Sequence, residues 1–536
     1  MAKSFDLVIK NGRVLDGTGS PYFRKDIGIK SGKIEKIGKT DGTAAKVIDA
    51  QDLIVSPGFI DLHSHTDHSI LPFPEAESFI LQGVTTQVAG NCGLALAPIN
   101  EKTLPLLRRY LEPSLYSGYD YGWGWKTLAQ YYERIEKQGT SINLISLVGQ
   151  GTVRLAVKGF DTTPVSKSEM RQMKKLVAEG LEGGAFGMST GLVYAPGSYS
   201  TTEELIELVS VLTRYGGIYT SHIRNEDARL MESVEEAIKI GEANNIPVQI
   251  SHFKAMGKPN WGKVNATLRE LEQARARGVQ VSCDVYPYTA GSTSIASALP
   301  IWALEGGIEK MLTRLADKKL RRQIAHDIDS STGCGIPMIK SAGWGGVFVS
   351  GCLSNTSYEG KSLEQILREK GGFNDPYEGF FDWLLEIEGN VRVILFYGSE
   401  DDVRTVMQHP LASIGSDGRA ISPKAGGKPH PRYYGTFPRV LGKYVREEKL
   451  LTLEEAVRKM TSLPAAAFGI QDRGILREGF AADITIFDPD RITDKATYDN
   501  PHQYPEGISY VIVNGEVVVE NGKHTGIRSG KVLKRR

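Results

Sequence analysis

Between residues 58 and 420 the chain alternates two patterns. Short apolar runs end in polar residues: GFIDLHSH (58–65), TTQVAGNC (85–92), NLISLVG (143–149), AFGMST (185–190), GIYTSH (217–222), PVQISH (247–252), VQVSCDVY (279–286) and LASIGSD (411–417). Between them lie segments such as SEMRQMKKLVAEGLEGG, EELIELVSVLTRYGG, MESVEEAIKIGEANN and VNATLRELEQARARG. Their apolar positions recur at three- and four-residue spacing, and most close on Gly or Asn, the signature of amphipathic helices with C-terminal stops. Strand–helix alternation predicts parallel strands. Eight units predict an α/β fold of the closed (β/α)8, TIM-barrel type rather than an open sheet. The stretch from about 288 to 408 is too long for one connection and carries no clear repeat. It is expected as an insertion after strand seven, a candidate lid.

The two ends of the chain resemble each other. DLVIKNGRVL (6–15) and YVIVNGEVV (510–518) are apolar, β-rich runs around Asn-Gly, a hairpin signal because both central residues tolerate φ > 0. Ser31-Gly32 and Asn521-Gly522 add turn pairs, and AADITIFDPDRI (481–492) adds a strand. Two unrelated hairpins would satisfy the pattern. Because chain ends commonly lie close together, one small β-sandwich built from 1–57 and 470–536, enclosing a barrel over 58–469, is preferred.

Composition narrows the function. The 536 residues exceed one minimal domain of roughly 100–200 residues, but fit a barrel of about 250 with insertions and a satellite domain. With Lys+Arg at 64 and Asp+Glu at 63, no cation excess exists to neutralise nucleic-acid phosphates. No apolar run approaches the ~18 residues of a membrane span, and MAKSFDLVIKNG lacks a signal-peptide core. Four Cys in this length are no disulfide scaffold. A cytoplasmic protein with reduced thiols, acting on a small molecule, is expected.

Active sites of such barrels lie at the C-terminal strand ends. Strand one closes on His63-Ser64-His65, strand two on Cys92, strands five and six on His222 and His252, and strand eight on Asp417. Four of the ten His thus sit at one rim with a Cys and an Asp. Residues i and i+2 of a strand share a face, so His63 and His65 can grip one ion. Imidazole and thiolate suit a borderline-soft cation such as Zn2+. Taken alone, His-X-His is as readily a polar strand end, Cys92 a buried apolar-type Cys, and Asp417 a helix N-cap. Gly90 and Gly93 around Cys92 mark tight backbone at a crowded place. His68 follows the strand end and is read as loop or as a support behind the ligands. Cys283 is read as core, and Cys334 and Cys352 carry no partner pattern.

These residues resemble the amidohydrolase superfamily and, more finely, the D-aminoacylases, or N-acyl-D-amino-acid deacylases. The resemblance runs in order through nearly the whole chain: GFIDLHSHTD, GNCG (90–93), GQGTVRLAVKG (149–159), STGLVYAPG (189–197), SHIRNE (221–226), SHFK (251–254), DVYPYTAGST (284–293), IGSDG (414–418), HPRYYGTFPRVL (430–441) and REGFAADITIFDP (477–489). It implies a zinc enzyme that hydrolyses the amide between an acyl group and a D-amino acid; handedness rests on the resemblance alone. It further implies one firmly bound Zn2+ at Cys92, His222 and His252, and a second, weaker position at His63 and His65. Asp417 becomes the general acid/base, with Lys254, Tyr194, Tyr286, Ser292 and Arg432 lining the substrate site.

The chain departs from wider family patterns in three places. Strand four, AFGMST, lacks the carboxylated Lys that bridges two metals in hydantoinases and dihydroorotases, which leaves Cys92 as the bridge. The segment GRAISPKAGGKPHPR after Asp417 is a few residues longer than is usual in D-aminoacylases. After Ser292 the chain reads TSIASALPIW, without a cation to suggest selectivity for an acidic D-amino acid. The competing readings are a hydrolase of cyclic amides or dipeptides on the same fold, and a non-catalytic scaffold. A scaffold need not retain ligands, whereas here every expected position is filled.

Overall fold

The computed structural model describes residues 3–331 and 333–535, so the outermost residues of the expected small domain and Thr332 of the insertion lie outside the described residues. All eight apolar runs contain strands: β1 (Phe59–Asp61), β2 (Val84–Ala89), β3 (Asn143–Ser146, continued by Val148–Gly149), β4 (Gly187–Gly191), β5 (Ile218–His222), β6 (Val248–Ile250), β7 (Val281–Val285) and β8 (Ala412–Ile414). Neighbours pair in parallel in sequence order from β1 to β8. A parallel bridge between Ser64 and Gly418 closes the ring. There Asp417 N donates to His63 O at 2.8 Å and His65 N to Gly418 O at 2.7 Å. The barrel thus closes through the segments that carry His63, His65 and Asp417.

The helices follow the spacing that predicts them. Helix α1 (Lys167–Glu182) buries Met170, Met173, Val177 and Leu181 along one stripe. Its start is a capping box: Ser166 Oγ accepts from Glu169 N at 3.3 Å, and Glu169 Oε2 accepts from Ser166 N at 2.7 Å. Such a cap is worth about 1 kcal/mol. Each buried apolar side chain contributes roughly 1.5–3 kcal/mol, so packing against the barrel outweighs the cap. The segment EELIELVSVLTRYGG forms two helices, Thr202–Val209 and Val211–Tyr215, parted at Ser210.

Both chain ends enter one sheet. In a seven-stranded sheet, Ile54–Pro57 lies antiparallel to Ile484–Phe487, which continues into Ile508–Val513 and Glu516–Glu520. A four-stranded sheet, from Lys3–Lys10 to Gly42–Asp49, packs with it around Leu7, Ile29, Ile484 and Ile512. The turns at Ser31-Gly32, Asn514-Gly515 and Asn521-Gly522 join hairpins, as the dipeptides predict. Asn11-Gly12 does not. It passes the chain from one sheet to the other, with Lys3–Lys10 in the first and Arg13–Val14 in the second. Gly12 serves packing instead, since a Cβ there would lie 2.5 Å from Val55 Cγ2. From Gly530 the tail bridges to Thr140 and Leu144 beside β3.

Between β7 and β8 the chain builds an antiparallel sheet in the order Ala290–Ser294, Val391–Phe396, Val347–Cys352. Helices Lys318–Ser330 and Pro376–Glu386 are held together by Arg321, which reaches Glu378 at 2.6 Å and Asp382 at 2.8 Å. The first two strands carry Ser292, Thr293 and Arg392 to the barrel mouth, where they line a cavity with Cys92 and Asp417. Among the described residues no helix is long and apolar enough to cross a membrane, and all four Cys are free.

Candidate metal centre

Of the expected ligands only His222 is the last residue of its strand. β1, β2, β6 and β8 stop two or three residues short of His63, Cys92, His252 and Asp417. The reason for three of them is backbone shape. Cys92, His252 and Asp417 have φ of 54°, 38° and 50°, the left-handed region, which cannot continue a ladder. For a non-glycine residue this costs on the order of 1–3 kcal/mol, and it persists where surrounding structure imposes it, typically at functional sites. Around Cys92 the crowding is direct: a Cβ on Gly90 would meet Leu147 O at 2.4 Å, and one on Gly93 would meet Gly191 N at 2.7 Å.

The donor atoms converge. Cys92 Sγ lies 3.4 Å from His63 Nε2 and 3.6 Å from His252 Nε2, which is 2.9 Å from His222 Nδ1. Ligands about 2.0–2.3 Å from a tetrahedral Zn2+ stand about 3.3–3.6 Å apart, so the set is close to coordination spacing. Cys92, His222 and His252 form one such group, His63, His65 and Cys92 a second, and His63, His252 and Asp417 a third. Cys92 belongs to the first two, the position of a bridge. Burial holds His222 and His252 well below the usual imidazole range, reinforced for His252 by Lys254, so both rings are neutral as ligands must be. Burial raises the Cys92 thiol, a shift that a bound cation reverses.

Each of three rings has its outer nitrogen turned to a carboxylate. His63 Nδ1 lies 3.3 Å from Asp284 Oδ1. Glu226 serves two rings: Oε1 is 3.1 Å from His252 Nδ1 and Oε2 is 3.6 Å from His222 Nε2. Asp284, hydrogen-bonded to His63, fixes the tautomer of that ring and aims its ligating nitrogen inward, whereas the Glu226 oxygens approach the other two rings without a hydrogen bond. Neither acid was singled out from sequence, although both lie inside the quoted segments SHIRNE and DVYPYTAGST. Their burial is the signal that sequence lacks: Asp284 is 0% and Glu226 5% exposed.

The residues expected to line the substrate site surround the same mouth. Tyr194 OH is 3.1 Å from Thr293 Oγ1, and its ring lies 5.1 Å from that of His222. Tyr286 sits under the Arg432 guanidinium, 4.8 Å from its ring centre, and its hydroxyl bonds that of Tyr397. Ser292 O is 3.5 Å from Arg432 Nη2. Lys254 is not on a strand, since β6 ends at Ile250. It is also occupied: Nζ lies 2.5 Å from Glu226 Oε1 and 2.7 Å from His252 Nδ1. Burial opposes its charge, but Glu226 more than offsets this and raises its pKa. His65 Nε2 contacts Asp417 Oδ1 at 3.1 Å. Burial would raise the Asp417 carboxyl, yet Arg432 and the surrounding histidines hold it well below the usual range. His68, read as loop, is buried and lines the cavity beside His65.

Residues 46–519 match the amidohydrolase family. The D-aminoacylase of Alcaligenes xylosoxydans xylosoxydans is 35% identical over 535 residues, covering 100% of this chain and 98% of that protein. The N-acyl-D-glutamate deacylase of the same organism is 35% identical over 544 residues, with 100% and 98% covered. The crystal structure of N-acyl-D-glutamate deacylase from Bordetella bronchiseptica, complexed with zinc and a phosphonate mimic of the tetrahedral intermediate, matches with a TM-score of 0.82. It is 32% identical, and the match covers 99% of this chain and 100% of that one. A barrel with histidine, cysteine and aspartate at its mouth and this match define the class: the chain belongs to the amidohydrolase family. Within that family it is a member of the D-aminoacylases.

Proposed function

We propose that this chain is a zinc-dependent hydrolase of N-acyl-D-amino acids, releasing a carboxylate and a free D-amino acid. The observation that carries the reading is the convergence of Cys92 Sγ, His222 Nδ1 and His252 Nε2 beside the Asp417 carboxylate. One thiol with neutral imidazoles suits Zn2+, and His63 and His65 offer a second, weaker position sharing Cys92. When bound, the ion supplies Lewis acidity to the scissile carbonyl and to a water. The relatives named D-aminoacylase and N-acyl-D-glutamate and N-acyl-D-aspartate deacylase support the substrate class. β4, GMSTG, has no Lys to carry a carbamate.

Asp417 accepts the proton of the attacking water and returns it to the leaving amine, which departs poorly as an anion. His65 and Arg432 orient the carboxylate and hold it ionised, as the base that takes the first proton must be. Lys254, Arg432 and Tyr286 face the substrate α-carboxylate, Arg432 with its bidentate fork. Glu226 keeps Lys254 charged. Tyr194 and Ser292 line the same cavity as Lys254 and Tyr286.

The test is hydrolysis of paired N-acetyl-D- and N-acetyl-L-amino acids (Met, Leu, Phe, Glu) with added Zn2+, before and after a chelator. Chelator-sensitive release of the D series alone is expected. Release of neither series, with hydrolysis of a hydantoin or dihydropyrimidine, overturns the reading.

A further inference from the structure

The cavity over the metal cluster has a second cationic wall, far from Lys254 in sequence and on the other side of His252. Arg392 lies on the insertion strand Val391–Phe396, directly opposite Ser294 of the neighbouring strand. Arg419 follows Asp417-Gly418 at the closure of the barrel. Both converge on Ser114: Arg392 Nη1 donates to its Oγ at 2.9 Å, and Arg419 Nη1 donates to its carbonyl. Together they line a cavity of about 640 Å³ that also contains His65, Cys92, Asp417 and Tyr433.

These two half-buried guanidiniums differ from several cations that are buried or half-buried elsewhere in the chain. Arg154 meets Glu204, Arg321 meets Glu378 and Asp382, Arg473 meets Asp483, Lys254 meets Glu226, and Arg432 meets Asp417. Arg392 and Arg419 meet no carboxylate among the described residues; they donate to the Ser114 hydroxyl and carbonyl, and Arg419 also reaches the Tyr433 hydroxyl. Arg419 Nε is buried without any hydrogen-bond partner, as are the Nε atoms of Arg154, Arg432 and Arg473, so what sets Arg419 apart is the lack of a carboxylate. Two cations held side by side at a half-buried wall with no carboxylate partner repel each other, and an anion entering the cavity relieves that repulsion. Their field is visible on neighbours. Burial and the positive charges of Arg419 and Arg432 depress the Arg392 pKa. Tyr433, despite burial, is pulled down to about 8 by Arg419, Arg392 and Arg432.

The cavity holding Lys254, Glu226 and Tyr286 shares Tyr194, His252, Ser292 and Asp417 with this one. The metal cluster therefore lies between two cationic walls. A substrate whose α-carboxylate faces Lys254 and whose amide lies at the cluster extends its remaining substituents towards Arg392 and Arg419. We propose that Arg392 and Arg419 form a subsite for a second carboxylate of the substrate, carried by the D side chain or by the acyl group. This rests on the N-acyl-D-amino-acid reading above. It also revises the expectation drawn from TSIASALPIW: the cation missing after Ser292 is supplied by a strand a hundred residues later and by the loop after Asp417.

Two substrate pairs test it on the zinc-loaded enzyme. N-acetyl-D-glutamate against N-acetyl-D-glutamine probes the side chain, and N-succinyl-D-leucine against N-butanoyl-D-leucine probes the acyl group. In one arm the acidic member is expected to exceed its neutral partner in kcat/KM by on the order of 10–100-fold, the worth of a hydrogen-bonded charge. That excess should collapse towards unity in Arg392→Met and in Arg419→Met. Arg392→Lys and Arg419→Lys, which keep the charge but lose the fork, should show an intermediate excess and serve where a Met variant does not fold. No excess in either arm, or an excess that survives every substitution, overturns the subsite while neutral-substrate turnover upholds the deacylase. If no N-acyl-D-amino acid is hydrolysed, the deacylase reading fails separately. Calorimetric titration of the same four compounds then decides the subsite: a second carboxylate that fails to tighten binding overturns it.

Discussion

Arg432 Nη1 lies 3.0 Å from Asp417 Oδ2, so a residue suited to the substrate carboxylate is already held by the residue suited to proton transfer. The contact is close, yet no N–H of Nη1 is aligned on the oxygen as a hydrogen bond. Arg432 is 1% exposed, and its Nε and Nη1 have no hydrogen-bond partner, so both are left with donor capacity for a ligand carboxylate. It therefore links binding to the protonation of Asp417. Arg432→Met is expected to lower kcat/KM on the order of 10²-fold through both kcat and KM. Breaking a buried pair also costs roughly 3–5 kcal/mol, so the thermal midpoint should fall. A change confined to KM, with unaltered thermal stability, would show that the pair is not coupled.

Asp417→Asn should lose 10²–10⁴-fold in kcat, the usual cost of removing a general acid/base. Zinc at Cys92, His222 and His252 should be retained, because Asp417 does not belong to that group. Retention of more than about a tenth of kcat would falsify the assignment.

Glu226→Gln removes the carboxylate that faces the outer nitrogens of both His222 and His252. Outer-shell carboxylates of this kind are worth about 10–100-fold in metal affinity. Zinc retained after dialysis against a graded chelator should fall accordingly. Equal retention in variant and wild type contradicts the orienting role.

Tyr433 gives a pH signature. In the folded chain the three arginines bring it to about 8, against an ordinary value near 10. The unfolded state therefore holds the extra proton between these values, and stability from this group rises with pH across that window. Below about 8 it contributes none. A tyrosinate absorbance step near pH 8, absent in Tyr433→Phe, is expected. Arg392→Met and Arg419→Met should move the step upwards, and a step that stays in place would mean that these charges do not act on the ring.

The sequence by itself determined the periodic part of the protein. Eight apolar runs with intervening amphipathic helices dictate a parallel barrel, because side-chain spacing encodes which face of each element is buried. The terminal strands with their Asn-Gly and Ser-Gly turns encode the small β-domain, and the placement of His222, His252 and Asp417 at or just past the ends of their strands brings them to one rim. Local spacing cannot encode which neighbour a side chain meets after closure. His63 and Asp284 are 221 residues apart, Arg392 and Ser114 278, and Arg419 and Ser114 305. Those encounters, the left-handed backbone at Cys92, His252 and Asp417, and the capture of Lys254 by Glu226 arise from strand order and ring closure. They depend on burial and on charges brought within a few ångströms, quantities that exist only once the barrel has formed.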